Sequence, residues 1–173
     1  MSEHCCQHDE SEVSWEQQLD ELLPLFGHRN WIVVADAAYP AQTRPGIDTA
    51  VIDCSQLEAV KKVLAAIHRQ PHVRALVLVD QELEFVAEKD AKGVGNYRRK
   101  LKAELGASLA TMPHEQIIAR LDKAAEIYRV LILKTAMTIP YTSVFFELDC
   151  GYWSAAAEKR LRATIAAREK KTK

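Results

Sequence analysis

The chain has 173 residues, 48% of them hydrophobic, and a formal net charge of −1. This length and apolar fraction predict a single folded domain with tails. The near-neutral charge gives no reason to expect nucleic acid as a partner. No segment reaches the ~18 apolar residues that a membrane span needs, and no secretory signal is recognisable. The four cysteines lack a disulfide spacing, which predicts reduced thiols and a cytoplasmic location.

The two ends of the chain differ in charge. Residues 1–12 are acidic and contain His4, Cys5, Cys6 and His8, but their spacing does not fit a zinc site, so we predict an acidic tail without a metal. Residues 154–173 are basic, with helical spacing, and predict a tail that projects from the domain or packs on a neighbour. The two tails could pair, although two solvated tails are the simpler interpretation. Residues 13–153 remain as the folded domain.

Short apolar strands alternate with amphipathic helices through the folded part. In chain order the prediction is a helix at 13–26, strands at 31–34 and 47–52, a helix at 56–70, a strand at 74–80, a helix at 97–105, a strand at 108–112, a helix at 113–128, and strands at 130–133 and 141–148. Continuous apolar strands separated by helices are typical of a parallel sheet covered on both faces. We therefore predict an α/β fold, a three-layer α/β/α sandwich with a mostly parallel central sheet.

The stretch Gly27 to Pro40 is the first candidate for a site. It reads GHRNWIVVADAAYP, so His28 precedes a core strand and Asp36 follows it. One strand of this length spans roughly 15 Å, and the two side chains meet only if the His28 loop folds back over the carboxyl end of the strand. That end is where open α/β sheets usually bind their ligands.

Other polar residues could serve the same edge. Arg44 lies in the following loop and could contact an anion or a hydroxyl group, and His114 opens a predicted helix. Asp80 and Asp48 stand at strand ends and are second choices for the same edge. The basic residues at 98–100 predict a solvated helix face without a nucleic-acid role. Gly93-x-Gly95 lacks the strand context and third glycine of a dinucleotide-binding loop.

Five short motifs occur in a suggestive order. They are Gly27-His28, Asp36-Ala37 with Pro40, Ile47-Asp48-Thr49-Ala50, His114-Glu115-Gln116 and Pro140-Tyr141-Thr142-Ser143. In this order and spacing they resemble the RbsD/FucU family of ribose pyranases and fucose mutarotases, over roughly residues 19–153. The resemblance implies an RbsD-like α/β/α fold that assembles into homo-oligomeric rings, often decamers, with sites near subunit contacts. It also implies the interconversion of ring forms of a free monosaccharide without a cofactor or metal.

The resemblance also implies roles for individual residues. His28 would be the acid/base, with Asp36 beside it, and His114 and Tyr141 would contact the sugar, together with Thr142, Ser143 and Arg44. Ser143 departs from the family, which usually has asparagine there, and a hydroxyl cannot make all the hydrogen bonds of an amide.

Two functions follow from this sequence. The first is an isomerase, a mutarotase or pyranase, in which His28, Asp36 and Tyr141 converge in one pocket. The second is a sugar-binding relative that has lost turnover, which the serine at 143 suggests.

Overall fold

The structure is a computed structural model that describes residues 13–106 and 109–171, without the side chains of residues 170 and 171. Statements below that a feature is absent refer to these residues. The predicted acidic tail at 1–12, with its histidines and cysteines, lies outside them.

Five helices follow the predicted periodicity closely. They are α1 (Trp15–Leu22), α2 (Gln56–His68), α3 (Val94–Leu105), α4 (His114–Ala124) and α5 (Ala155–Lys171), with 3₁₀ turns at Leu23–Leu25 and Gln81–Phe85. The predicted caps Ser14 and Ser55 each accept a hydrogen bond from the backbone N–H three residues on, at 3.2 and 3.4 Å. These bonds satisfy amides that the first helical turn leaves without partners. Helix α3 begins three residues before its predicted start, where the Glu88 carboxylate accepts hydrogen bonds from Gly93 and Gly95.

Six strands form one sheet. They are β1 (Trp31–Ala35), β2 (Ile47–Val51), β3 (Val73–Asp80), β4 (Leu109–Met112), β5 (Val130–Lys134) and β6 (Val144–Cys150), in the order β2-β5-β1-β6-β3-β4. Strands β1 to β5 point the same way, whereas β6 lies antiparallel between β1 and β3. The predicted mostly parallel sheet is thus confirmed. We call the edge where β1 to β5 end and β6 begins the carboxyl edge, and the opposite one the amino edge.

Apolar side chains cover both faces of the sheet, which gives the three layers. One face packs against α1, α2 and α3, with Ile32, Val34 and Phe146 among the buried strand residues. The other packs against α4 through Trp31, Val33 and Phe145. Neighbouring residues of β1 therefore point to opposite sides, as the twofold repeat of a strand requires, and every one of its residues is buried.

The predicted basic tail is helical, as α5 shows. Most of its described side chains are exposed, including Leu161 and Ile165. At its start, the indole N–H of Trp153 donates a hydrogen bond to Glu158 at 2.8 Å. In the described part of the chain, no helix is long and apolar enough to cross a membrane.

Candidate functional site

Three neighbouring strands bring polar residues together at the carboxyl edge. Asp36 follows β1, Ser143 precedes β6 and Asp80 ends β3, and these strands are adjacent in the sheet. Because β6 runs against its neighbours, its first residue meets the last residues of β1 and β3. The loop before β6 and the start of α4 then add Tyr141 and His114 to the same edge.

Asp36 is held by its own loop and by Ser143. The Ser143 hydroxyl donates to Asp36 Oδ2 at 3.0 Å and accepts a hydrogen bond from the Asp36 N–H at 3.2 Å. Asp36 Oδ1 accepts the N–H of Ala38 at 2.9 Å, which closes a tight turn after the strand. Both carboxylate oxygens therefore already accept one protein hydrogen bond each. Ser143 is almost fully buried, with 2% of its surface exposed.

His114 is anchored at both its backbone and its side chain. Its N–H donates to the two Glu82 carboxylate oxygens at 3.0 and 3.1 Å. Its ring atom Nδ1 lies 3.0 Å from Asp80 Oδ1. Burial raises the pKa of Asp80, and the hydrogen bond and charge of His114 oppose that shift only in part. A carboxylate and an imidazole thus form a pair at this edge.

Tyr141 lies next to this pair in an unusual backbone conformation. Its ring meets the His114 ring edge-on, with centroids 5.7 Å apart at 78°. Its φ is 58°, a left-handed value that is uncommon for residues other than glycine. The following residue, Thr142, is fully buried and its carbonyl accepts hydrogen bonds from Tyr97 at 2.8 Å and Gln56 at 2.9 Å. Thr142 therefore anchors the loop, and its hydroxyl donates to the Ile139 carbonyl at 2.7 Å.

Two buried polar atoms close to this group have no hydrogen-bond partner among the described residues. They are the Tyr39 hydroxyl and Asp80 Oδ2. Burial first, and then the charges of Asp122, Asp80 and Asp36, raise the pKa of Tyr39. Buried polar groups are normally paired, so the two atoms are free to meet a ligand or water.

His28 and Arg44 lie elsewhere in the same chain. His28 is exposed in the turn before β1, at the amino edge, where the N–H of Arg29 donates to the Leu148 carbonyl at 2.7 Å. The five residues of β1 separate His28 from Asp36 by about 16 Å. The turn does not fold back over the strand, so His28 does not join Asp36 and Tyr141 in a pocket of one subunit. Arg44 is exposed and pairs with Glu126 at 3.5 Å, beyond the C-terminus of α4.

The two aspartates that were second choices for this edge lie at opposite ends of the sheet. Asp80 lies at the carboxyl edge, whereas Asp48 lies near the start of β2 and pairs with Arg129. Tyr39 and Gln56 were not among the predicted residues. Tyr39 looked like a loop residue before Pro40, and Gln56 like the first turn of a helix. Only the packing shows that both are buried at this edge.

The site has room beside Asp36 and no evident metal centre. A surface cavity of about 330 Å³ is lined by Asp36, Ala37 and Ala38 from one side and by residues 137–140 from the other. In the described ranges, no group of three or more histidine, cysteine, aspartate or glutamate side chains is placed to hold a metal ion. The chemistry available at this edge is therefore that of an imidazole, carboxylates and phenols, which bind hydroxyl groups and transfer protons.

The architecture is thus an α/β sandwich that gathers an imidazole, carboxylates and phenols at one sheet edge, and it defines the class of domain to which the chain is compared. A family model places the chain within that class: the RbsD / FucU transport protein family matches residues 14–150. The chain therefore belongs to this family. No sequence among the curated proteins matches it.

Solved structures share the fold at low sequence identity. RbsD of Bacillus subtilis, solved in complex with D-ribose, is 15% identical with a TM-score of 0.53, over 82% of this chain and 98% of that one. The fucose mutarotase of Streptococcus pneumoniae, in complex with L-fucose, is 18% identical with a TM-score of 0.51, over 83% and 97%. FucU of Bifidobacterium longum is 16% identical, again with a TM-score of 0.51, over 76% and 93%. These likenesses confirm the predicted RbsD-like fold.

Proposed function

We propose that this protein interconverts the ring forms of a free monosaccharide, as a mutarotase or pyranase that needs no cofactor. The observation that carries the proposal is the group formed by His114, Asp80, Tyr141, Asp36 and Ser143 at the carboxyl edge, in a member of the RbsD/FucU family. Ribose and fucose are the first sugars to test, since two proteins of similar fold were solved with them.

The chemistry of ring opening suits these groups. A sugar ring opens when the anomeric hydroxyl loses a proton and the ring oxygen gains one, and an imidazole that titrates near neutral pH can do either. Carboxylates and phenols can orient the remaining hydroxyl groups of the sugar. Thr142 contributes through its backbone, because its side chain and carbonyl are already bonded within the protein.

His28 enters this proposal only through a second copy of the chain. It is exposed at the amino edge, and its neighbour Arg29 has a φ of 75°, a conformation that is often kept at functional sites. A Cβ atom added at Gly27 would meet nothing within 4 Å in one chain, so packing within the subunit does not require a glycine here. We infer that the turn at 27–30 approaches the carboxyl edge of a neighbour in a homo-oligomeric ring. Arg44 could contribute to a sugar site only in the same way.

The test is saturation-transfer NMR of ring-form exchange across a panel of monosaccharides that includes ribose and fucose. We expect exchange above the buffer rate for at least one sugar, and a loss of ~10²–10⁴-fold in His28→Ala and in Asp36→Asn. When the two variants are unfolded together and co-refolded, random pairing should restore about a quarter of the wild-type rate, because intact halves then meet at one site in four.

Each result has a distinct meaning. No catalysed exchange of any sugar would refute the isomerase. Exchange that survives His28→Ala would remove His28 from the mechanism and leave the carboxyl edge as the complete site. Loss without recovery on mixing would show that His28 and Asp36 do not come from two different subunits to form one site. Each variant refolded alone is the control for the mixing.

The alternative is a sugar-binding relative without turnover. The hydrogen bond between Ser143 and Asp36 favours it, because it occupies a carboxylate oxygen that a catalyst would offer to the sugar. Calorimetric binding of a sugar without exchange would support this alternative. Ser143→Asn would then be the informative variant, since a gain of exchange would trace the loss to this position.

The cytoplasmic location stays a prediction; Cys54 and Cys150 are free thiols in the structure.

A further inference from the structure

His114 and Asp80 form an imidazole–carboxylate pair whose two members differ sharply in exposure. The side chain of His114 keeps 32% of its surface exposed, whereas that of Asp80 keeps 1%. The carboxylate is therefore buried, while the imidazole that it contacts reaches the surface. Ionised carboxylates are costly to bury without partners, and His114 provides the one hydrogen bond found for this side chain among the described residues.

The geometry determines which nitrogen of His114 carries the proton. An ionised carboxylate only accepts hydrogen bonds, so once Asp80 is ionised the Nδ1 atom, 3.0 Å from Asp80 Oδ1, is the donor. The neutral ring then carries a lone pair on Nε2. No described residue makes a hydrogen bond to Nε2, and the neighbouring Tyr141 ring contacts the imidazole edge-on.

The position of the ring is constrained as well as its tautomer. Glu82 accepts the N–H of His114 with both carboxylate oxygens, and it thereby holds the first residue of α4. Asp80 ends β3 and is fixed by the sheet register, in which Asp80 pairs with Met112. The ring is thus held from the backbone side and from behind, as a proton-transferring histidine is held by its carboxylate in other active sites.

We propose that Asp80 is a positioning residue that fixes His114 in the Nδ1–H tautomer, and that Nε2 of His114 is the proton-transferring atom of this edge. The inference rests on the proposed function and deepens it, since it assigns the proton-accepting atom within one subunit to His114 and gives Asp80, one of the carboxylates of the proposed site, a specific part.

The proposed step balances with the groups present. Nε2 takes the proton of the anomeric hydroxyl, the bond between the anomeric carbon and the ring oxygen breaks, and the anomeric C–O bond becomes a carbonyl. The protonated imidazole of His28 from a neighbouring copy, as in the proposed function, gives a proton to the ring oxygen. Both protons return to their donors on closure, so none is consumed overall. Closure from the other face of the carbonyl, by the reverse steps, yields the other anomer.

The decisive experiment is long-range ¹H–¹⁵N NMR of the full-length protein, recorded at a pH above which the His114 signals no longer change, so that the ring is neutral. The His114 signals are assigned by their loss in His114→Gln. We expect the wild-type ring to be in the Nδ1–H form, with the Nε2–H form rising in Asp80→Asn because an amide can donate to Nδ1. Glu115→Gln is the matched control, since it removes the exposed neighbouring carboxylate and should leave the tautomer unchanged.

The exchange assay adds a second measurement, because a purely structural role of Asp80 would not lower kcat while leaving KM unchanged. On a sugar that the wild type turns over, His114→Gln should lower the exchange rate by ~10²–10⁴-fold. Asp80→Asn should lower kcat by about 10²-fold with KM nearly unchanged, while Glu115→Gln leaves both at wild-type values. Circular dichroism confirms that each variant is folded.

The outcomes separate this inference from the proposed function. A wild-type ring in the Nε2–H form, or a tautomer that Asp80→Asn does not change, would overturn the inference whether or not any sugar is exchanged. A rise in KM with kcat unchanged would make Asp80 a binding residue and also overturn it. Absence of exchange in the wild type would refute the isomerase and with it the proton-transferring role of Nε2, whereas the tautomer result would still decide the positioning role of Asp80.

Discussion

The Asp80 carboxylate is almost completely buried, and this burial makes the free energy of unfolding depend on pH. Burial raises the pKa of Asp80, and His114 offsets the effect only partly. The folded protein therefore keeps this proton to a higher pH than the unfolded chain does. Where the folded state binds more protons, the free energy of unfolding falls as pH rises. For this group the fall starts near the usual aspartate pKa of about 3.9 and ends above the raised folded value.

Asp80→Asn should remove this pH dependence. We expect the difference in unfolding free energy, wild type minus Asp80→Asn, to decrease between pH 4 and pH 7, because only the wild type must ionise a buried carboxyl group. Urea unfolding at four pH values across this range measures it. A difference that grows with pH would show that the ionised carboxylate is stabilised in the fold, and a constant difference would show that folding does not change its proton binding; either result contradicts the prediction.

The residue scale also shows how a single hydroxyl changes a site. Ser143 donates to Asp36 Oδ2 and accepts from the Asp36 N–H, so its hydroxyl is already bonded within the protein. An asparagine there would carry two donors and one acceptor on a longer side chain. The serine thus favours a rigid Asp36, and this rigidity is the structural basis of the binding-only alternative.

At the scale of elements, the antiparallel strand β6 is what assembles the site. Its reversed direction brings the loop at 141–143 to the ends of β1 and β3. A parallel strand in the same place would present its last residues there instead. The loop is then held by a buried polar network in which Gln56 donates to the carbonyls of Val34 and Thr142, both at 2.9 Å, and accepts from the Thr135 hydroxyl at 2.5 Å.

Gln56→Leu and Tyr97→Phe should therefore lower the free energy of unfolding by different amounts. Tyr97→Phe removes one of two hydrogen bonds to the Thr142 carbonyl and should cost about 1 kcal/mol. Gln56→Leu removes the hydrogen bonds that the amide donates to the Val34 and Thr142 carbonyls, while the Thr135 hydroxyl keeps the Ala35 carbonyl as acceptor, and it should cost about 3 kcal/mol. Urea unfolding measures both, with the exposed Gln81→Leu as the control. Equal costs would mean that water replaces the Gln56 amide.

The network also predicts an effect at the site. Because Gln56 and Tyr97 fix the Thr142 carbonyl, they help to hold Tyr141 at its left-handed φ of 58°. We expect the folded Gln56→Leu variant to bind sugar more weakly than Tyr97→Phe does, by calorimetry. Identical affinities would show that the loop keeps its conformation without the glutamine.

At the scale of the whole molecule, the two edges of the sheet carry different candidate groups. The carboxyl edge holds His114, Asp80 and Asp36, whereas the amino edge holds His28. A ring of subunits would bring unlike edges together, and a monomer would keep them apart by the length of β1. The oligomeric state therefore decides whether His28 can take part in catalysis.

The basic helix α5 lies at the margin of this architecture. Its described side chains are mostly exposed, and the hydrogen bond between Trp153 and Glu158 anchors it near its start. Deleting residues 155–173 should change the unfolding free energy of the domain by no more than about 0.5 kcal/mol, as expected for exposed positions. Urea unfolding tests this, and sedimentation reports whether the oligomer changes. A larger loss of stability would show that α5 packs on the domain or on a neighbour.

Much of the fold could be predicted from local pattern. The apolar runs of β1, β3 and β5 and the serine caps of α1 and α2 are short-range signals, and the structure confirms all of them. The direction of β6 was not available from its own residues, because a buried apolar strand has the same composition in either orientation. It starts at Val144 and not at the predicted Tyr141, since Thr142 and Ser143 bond to other elements instead of to the ladder.

The sequence by itself determined the elements, the mostly parallel sheet and the family motifs, because these depend on spacing and residue type along the chain. Tertiary structure alone decided which polar residues meet. It joined Asp80 to His114 across 34 positions and Asp36 to Ser143 across 107. It left His28 and Asp36, which are only eight positions apart, at opposite ends of β1. The physical reason is that contacts at a sheet edge are set by strand order and direction, which no single segment encodes.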